Sequence, residues 1–270
     1  MKKYNLLNWM SMISDNTSIC DLLIPGTHDT MTATCDQRYY KTQNLSLDEQ
    51  LQCGVRFFDM RIRREMIAAH REWHSNITMN EIMSTLKDFL EKYPSEVIIM
   101  RVQNANELKD DYPEYGIALK NELVKFMPLF YKWDSRATIF PNLGLVRGKI
   151  IALECSPIEY KFYEFDNKIW AQTWHDNKFI DLQDLWDGPS IEDKKQAIKN
   201  NFTAKISNKL FLNHISATNG DLGYPDSYAN ILNSYFLSLC NETEYKNGVQ
   251  IMDFIDEKLS KQCVDSNFQL

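Results

Sequence analysis

The sequence predicts an α/β fold, a single distorted (βα)8 barrel of the TIM type that occupies residues 1–270. Short apolar segments with strand character alternate along the chain with segments of helical periodicity, the order expected of parallel strands joined by helices. A length of 270 residues suits one undivided barrel. No repeat, low-complexity linker or Gly/Pro-rich hinge interrupts the chain, and the unequal connections predict a distorted barrel rather than a regular one.

Strands are predicted from runs of β-branched and aromatic residues that are bounded by polar or turn-forming residues. They cover residues 21–25, 55–62, 67–70, 97–103, 149–154, 179–182, 209–215 and 249–255, with 179–182 as the weakest pattern. We expect these segments to form the barrel.

Helices are predicted between the strands, over residues 45–53, 78–93, 116–126, 191–199 and 228–239. The second has the clearest pattern, because Ile82, Leu86 and Phe89 fall on one face and the periodicity stops before Pro94. The first follows Asn44, a candidate N-cap.

Composition excludes several classes of protein. The net charge is −7 and the pI is near 5.3, so the chain lacks the basic footprint of a nucleic-acid-binding domain. No apolar run reaches the ~18 residues of a membrane span. The opening Met1-Lys2-Lys3 resembles the start of a signal peptide, but polar residues follow and no small-residue cleavage site appears, which predicts the first helix of the domain. This favours a cytoplasmic or peripheral membrane protein and leaves secretion open.

Metal-binding patterns are weak. The six cysteines show neither a Cys-x-x-Cys pair nor zinc spacing, and we expect free, mostly buried thiols. His70 and His74 have the i, i+4 spacing of a helical zinc motif, but the segment before His70 is strand-like and no glutamate follows it. We therefore predict no metal site.

Polar residues recur where the predicted strands end. They are His28 with Asp29, Asp59 with Arg61, His70, Gln103, Glu154 with Cys155, Asp184 with Trp186, and Asp253. Because the carboxyl ends of barrel strands meet at one face, we expect these side chains to share a site. Two histidines supply a base and an acid near neutral pH, and an arginine binds phosphate oxygens. The pattern therefore indicates cleavage of a phosphodiester without a metal.

Ordered motifs run through almost the whole chain. They are IPGTHD at 24–29, GVRFFDMR at 54–61, His70, YPSEVIIM at 93–100, RGKI at 147–150 and VQIMDF at 249–254. At these positions the sequence resembles the phosphatidylinositol-specific phospholipase C X-domain superfamily, and within it the metal-independent bacterial branch.

The resemblance implies a function and a set of roles. The enzyme would bind phosphatidylinositol at a membrane surface as a peripheral monomer and release diacylglycerol and inositol 1,2-cyclic phosphate, with no cofactor. His28 would be the general base, oriented by Asp253, and His70 the general acid, assisted by Asp29. Arg61 would bind the phosphate. The remaining implied contacts are Asp59 for fixing Arg61, and Gln103, Asp184 and Trp186 on the inositol side.

Three positions depart from the family pattern. The residue after the second histidine is usually glycine and is here Arg71, while Gln103 and Cys155 stand near positions where bacterial members often have lysine and arginine. The departures concern the headgroup side of the pocket.

Two alternatives stay open. A metal-dependent phosphodiesterase on the same barrel would need carboxylates at the positions of Arg61 and Gln103. A non-catalytic inositide-binding barrel would not need the intact set of two histidines, Arg61 and their acidic partners.

Overall fold

A computed structural model describes residues 4–106, 112–134, 136–154, 164–165, 168–204, 208–243 and 247–268. The strands are β1 (Leu23–Thr27), β2 (Phe57–Ile62), β3 (Ile67–His70), β4 (Trp73–Thr78), β5 (Ile98–Asn104), β6 (Ile150–Glu154), β7 (Glu164–Phe165), β8 (Lys168–Ile169), β9 (Ala171–Thr173), β10 (Ile180–Gln183), β11 (Leu210–His214) and β12 (Gly248–Met252). The α-helices are α1 (Leu47–Gln52), α2 (Met79–Lys92), α3 (Tyr112–Leu123), α4 (Leu143–Val146), α5 (Ile191–Phe202), α6 (Pro225–Glu242) and α7 (Glu257–Ser266), and 3₁₀ helices span Leu6–Met12, Ile19–Asp21 and Val124–Leu129.

Eight of the strands form a curled parallel sheet in the order β10-β11-β12-β1-β2-β5-β6-β9. Within the described residues no ladder joins β9 to β10, so the barrel is open there. The predicted fold class, a distorted α/β barrel, is confirmed.

Side chains alternate across the sheet with a period of two. Phe57 and Ile99 point into the barrel, where they join an interior cluster with Ile251. Phe58 and Met100, one residue further along each strand, pack outward against the helices. Asp59 and Arg61 on β2 and Gln103 on β5 continue these inward-facing rows, so they project into the mouth of the barrel. The side chain of Glu154 and the whole of Cys155, two further predicted strand-end residues, lie outside the described part of the chain.

Gly26 lets β1 and β2 approach closely. It lies opposite Phe57 in the parallel register, and a Cβ at this position would meet Phe57 Cδ1 at 2.8 Å. Its lack of a side chain therefore brings the end of β1, which carries His28, next to the end of β2.

One predicted barrel strand is wrong. Residues 67–70 form β3, which pairs antiparallel with β2 and with β4 and lies off the barrel path. The eighth barrel strand is instead β9, which has only three residues. The apolar run before His70 has the same pattern as a barrel strand, because periodicity does not encode the direction of pairing.

The predicted helices form, with shifted ends. Helix α2 is capped by Thr78, the residue at which the predicted helix begins, through a capping box with Glu81. Helix α1 is capped by Ser46 rather than Asn44, and α6 begins at Pro225, three residues before the predicted start. No described helix is long and apolar enough to cross a membrane.

The amino-terminal end of the barrel is closed by the first 3₁₀ helix. Trp9 is fully buried there. The buried Arg56 guanidinium donates to the carbonyls of Leu6 and Leu7 at 3.0 and 2.9 Å and to Glu96 at 2.9 Å. Arg56 in the GVRFFDMR motif therefore holds the fold and lies away from the strand ends. The cysteines of the described part are free thiols, as predicted, and Cys155 lies outside it.

Candidate active site

His28 and Asp253 follow the ends of neighbouring strands. The parallel register pairs Thr27 with Met252, so the next residue of each strand lies side by side. Nδ1 of His28 is 2.8 Å from Oδ1 of Asp253. The buried Gln43 amide donates to the carbonyls of both His28 and Met252 at 2.9 Å, which fixes the backbone of the pair. Sequence reasoning did not identify Gln43.

The His28–Asp253 contact sets the tautomer of the imidazole. A carboxylate accepts the Nδ1 proton, which leaves a lone pair on Nε2. Burial, followed by the charge of Arg61, lowers the pKa of His28 well below its usual value, and burial raises the pKa of Asp253. The ring is therefore held neutral, the form that a general base requires.

Arg61 lies on the other side of the same ring. Its Nη2 is 2.9 Å from Nε2 of His28 and 3.3 Å from Oδ2 of Asp59, and its Nε pairs closely with Asp29. The guanidinium thus covers the lone pair of the candidate base.

Asp29 joins the two halves of the site. Its carboxylate, 2% exposed, pairs with Arg61 and lies 3.4 Å from Nε2 of His28 and 3.1 Å from Nδ1 of His70. Its φ is +41°, a left-handed conformation that residues other than glycine adopt rarely and that is often found at functional sites. Burial raises the pKa of Asp29, and the charge of Arg61 opposes that rise.

His70 reaches the site from the β3–β4 hairpin. Its Nδ1 is 2.7 Å from the carbonyl oxygen of Tyr40 and 3.1 Å from Asp29, so Nδ1 is the donor in this arrangement. Burial lowers the pKa of His70, and the carboxylate of Asp29 opposes that shift.

Asp59 is fully buried between two arginines. Its Oδ2 lies 3.3 Å from Arg61, and its Oδ1 lies 3.4 Å from Nη1 of Arg101 on β5. Burial favours the neutral acid, but the charges of Arg101 and Arg61 outweigh it and lower the pKa of Asp59. Arg101 was not predicted, although its spacing two residues before Gln103 places it on the interior face.

A cleft of about 430 Å³, counting solvent at its mouth, opens above these groups. It is lined by His28, Tyr39, Thr42, Arg61, His70, Arg71, Trp186, Ala217, Thr218, Pro225 and Asp253. A larger groove lies at the opposite end of the barrel, next to Leu6 and Tyr93, and contains none of the predicted site residues.

The three residues predicted on the inositol side do not all line the cleft. Trp186 lines the cleft, whereas Asp184 and Gln103 do not. Asp184 lies 3.5 Å from Nε2 of His214, a buried residue at the end of β11. His214 was not selected, although its place at the end of a predicted strand was a usable signal.

Arg71 takes the position where the family pattern has glycine. Its φ is +52°, the left-handed region that glycine enters without steric strain. The side chain lines the cleft, and its guanidinium carbon is 5.8 Å from the centre of the Tyr39 ring. The departure therefore puts a second cation at the mouth of the site.

His28, Asp29 and Asp59 offer ligand atoms within 4.8 Å of one another, a spacing that would suit a metal ion. The Arg61 guanidinium contacts all three residues. A cation of the protein itself thus neutralises these carboxylates, which does not fit a metal in the same place.

The family model of the phosphatidylinositol-specific phospholipase C X domain matches residues 16–154, just over half of the 270 residues. This chain belongs to the phosphatidylinositol-specific phospholipase C X-domain family. Within the family, the 1-phosphatidylinositol phosphodiesterase of Listeria monocytogenes is 33% identical over 271 residues, covering 96% of this chain and 84% of that protein. The protein of the same name from Staphylococcus aureus strain Newman is 26% identical, covering 82% and 78%.

The fold agrees with solved structures of the same X-domain family. The phosphatidylinositol-specific phospholipase C from Listeria monocytogenes superposes with a TM-score of 0.87 at 29% identity, over 98% of this chain and 99% of that one. The X-domain match includes His28, Asp29, Asp59, Arg61 and His70. Asp253, which completes the pair with His28, comes from the strand β12 region outside that match.

Proposed function

We propose that this chain is a phosphatidylinositol-specific phospholipase C that works at a membrane surface without a metal or cofactor, releasing diacylglycerol and inositol 1,2-cyclic phosphate. The observation that carries the proposal is the run of contacts from Asp253 through His28, Arg61 and Asp29 to His70. The names of the relatives from Listeria and Staphylococcus support the substrate class.

His28 acts as the general base in this proposal. Its Nε2 accepts the proton of the inositol 2-hydroxyl, and the freed oxygen attacks phosphorus to form the five-membered cyclic phosphate. The Asp253 contact at Nδ1 supports this role, because it keeps the Nε2 lone pair available and stabilises the imidazolium that forms.

His70 acts as the general acid. The phosphorus–oxygen bond to glycerol breaks, and Nε2 of His70 donates a proton to the departing oxygen. Asp29 at 3.1 Å favours the protonated ring, and a bound phosphodiester anion adds a second negative charge that raises the pKa of His70. Asp29 also contacts Arg61, so one carboxylate aligns the acid and the phosphate-binding cation.

Arg61 binds the phosphate. Its Nη2 now contacts Nε2 of His28, and substrate must displace this contact before the base can work. A phosphate oxygen is a stronger acceptor for a guanidinium than a neutral imidazole is, which favours the exchange. Oδ2 of Asp59 accepts from Nε and Nη2 of the same guanidinium at 3.3 Å, so the exchange also loosens this contact.

Trp186 packs against the inositol ring in this proposal, because its side chain borders the cleft beside His28 and Asp253. Asp184 and Gln103 as hydroxyl-binding residues stay predictions from the family resemblance. Asp184 lies 3.5 Å from Nε2 of His214 and is not among the residues that line the cleft.

The direct test is turnover of phosphatidylinositol in mixed micelles with phosphorus NMR of the product. We expect the resonance of a five-membered cyclic phosphate in buffer containing EDTA. Cleavage only after adding Ca²⁺ or Mg²⁺ would favour the metal-dependent phosphodiesterase, and binding without cleavage would favour the non-catalytic inositide-binding barrel.

A further inference from the structure

Arg101 is a buried cation that takes no part in the proposed proton transfers or in phosphate binding. It lies on β5, directly opposite Asp59 of β2 in the parallel register, and its side chain is 7% exposed. Its guanidinium carbon sits 4.0 Å from the centre of the Trp174 ring, which is also buried. Within the part of the chain that the structure describes, Asp59 is the one carboxylate at ion-pairing distance from it.

A guanidinium at this depth is expensive to bury unless it has a counter-ion. Stacking on Trp174 contributes, since the face of an indole ring attracts a desolvated cation. The strand register places the two arginines at different depths. Arg61 lies opposite Gln103, two residues nearer the mouth of the barrel than the Asp59–Arg101 pair. The two arginines therefore approach Asp59 from different depths.

The proposed reaction changes the charge balance at Asp59. In the free enzyme this carboxylate is shared by both arginines. When Arg61 turns to the substrate phosphate, its hold on Asp59 weakens, and a fully buried carboxylate with no other cation would be strongly destabilised. Without Arg101, Asp59 would retain Arg61 and compete with the phosphate for it.

We infer that Arg101 is a positioning residue: it holds Asp59 in place beneath the site and thereby lets Arg61 transfer its hydrogen bonds to the substrate phosphate. This inference rests on the proposed function. Arg101 touches no reacting atom, because the cleft lining does not include it.

Arg101 also bears on the protonation of His28, which a residue with a purely structural role would not affect. The charged and titratable groups around the His28 ring are Asp29, Asp59, Arg61, His70, Arg101, His214 and Asp253. Removing Arg101 removes one positive charge from this set, while Asp59 stays ionised through Arg61. The pKa of His28 then rises, and the acid limb of the kcat/KM profile moves to higher pH.

The test compares Arg101→Met and Arg101→Lys with the wild type, using Arg147→Met as a matched control at the far end of the barrel. Arg147 is a half-buried arginine that donates to several carbonyls, at 2.7 Å to those of Ser95 and Ile13, and within the described residues it contacts none of the site residues. The measurements are kcat/KM on phosphatidylinositol across pH and titration of ¹³C-labelled histidines by NMR, with His28 assigned from the spectrum of His28→Ala.

We expect Arg101→Met to lower kcat/KM by about tenfold or more, as for a misplaced phosphate-binding group. The acid limb of its kcat/KM profile and the NMR titration midpoint of His28 should both rise by about half a pH unit or more. This is the size of shift expected when a unit charge is removed at an effective dielectric constant near 20. Arg101→Lys should restore both positions, and Arg147→Met should move neither.

The inference would be overturned if Arg101→Met folds and its acid limb stays at the wild-type pH. It would also be overturned if kcat/KM falls by the same factor at every pH and the titration midpoint of His28 does not change. If Arg101→Met does not fold, Arg101→Gln and Arg101→Lys carry the same comparison. The histidine titration needs no substrate, so it measures the coupling of Arg101 to His28 whether or not the protein cleaves phosphatidylinositol. If the wild type does not cleave this lipid, the proposed function is rejected, and the titration still decides whether Arg101 is coupled to His28.

Discussion

Oδ1 of Asp253 lies 2.8 Å from Nδ1 of His28, on the edge of the ring opposite the atom that Arg61 covers. The carboxylate therefore fixes which nitrogen carries the proton and aims the other at the cleft. This relationship makes the tautomer of His28 a property of the fold, because both residues directly follow paired strands.

Asp253→Asn should lower kcat/KM substantially, but less than His28→Ala does. An amide can donate to Nδ1 and so stabilise the wrong tautomer, while the base itself is still present. Steady-state kinetics of the two variants on phosphatidylinositol check the order. An Asp253→Asn enzyme with wild-type kcat/KM would show that the contact does not orient the base.

Activity should survive chelation. The Arg61 guanidinium already neutralises the carboxylates that would otherwise hold a cation, so initial rates in EDTA should equal those in untreated buffer. Arg61→Met should lose activity under both conditions. A wild-type enzyme that stops in EDTA and recovers with Ca²⁺ would contradict the metal-independent mechanism.

Unphosphorylated phosphatidylinositol should be cleaved faster than its 4-phosphate and 4,5-bisphosphate forms. Extra ring phosphates need a cluster of cations to replace lost water, and the inositol-side candidates Trp186, Asp184 and Gln103 are not basic. Initial rates on the three lipids in matched micelles give the order.

Arg71 is the cation that bears most directly on this preference, because it lines the cleft. Its left-handed φ makes Arg71→Gly the appropriate variant, since glycine fits that backbone. We expect Arg71→Gly to leave the order of the three lipids unchanged. If the wild type cleaves the bisphosphate as fast as phosphatidylinositol or faster, and Arg71→Gly does not, Arg71 binds the phosphates on the inositol ring.

Lys194 should make stability depend on pH. It is fully buried on α5, donates to the carbonyl of Leu185 at 2.5 Å, and burial lowers its pKa from 10.5 to about 7. Between these values the unfolded chain holds a proton that the folded chain has released, so stability rises with pH. Relative to Lys194→Met, the wild type should gain up to about 1.4 kcal/mol per pH unit above pH 7.

Urea unfolding of both proteins from pH 7 to 10 measures that difference, and groups common to both cancel. A difference that does not change with pH would mean that Lys194 stays protonated in the folded state. The residue matters for the site because the Leu185 carbonyl that it binds lies between Asp184 and Trp186.

Much of the architecture follows from local pattern. The alternation of apolar strands and amphipathic helices predicts the barrel, and the rule that function lies at the carboxyl ends of strands brings out His28, Arg61 and Asp253. Pairing direction is different, because it depends on contacts distant in sequence. The run that ends at His70 is therefore an antiparallel hairpin, and the three-residue β9 was missed.

The deeper layer of the site was also missed for a physical reason. Arg101 and His214 lie within apolar strand segments, and the local sequence of such a segment does not indicate which distant residue pairs with a charged or titratable side chain. Only the assembled barrel brings Arg101 to Asp59 and His214 to Asp184. The left-handed backbone at Asp29 likewise depends on tertiary contacts and not on residue type.

The division of labour between the two histidines is tested most directly by changing the leaving group. We would measure kcat/KM of His28→Ala and His70→Ala on phosphatidylinositol and on a nitrophenyl ester of inositol phosphate, whose leaving group needs no proton. Both variants should lose at least about 100-fold on the lipid. On the ester, His70→Ala should approach the wild-type rate while His28→Ala stays inactive. Equal losses on both substrates, or rescue of His28→Ala instead, would contradict the assignment of His28 as base and His70 as acid.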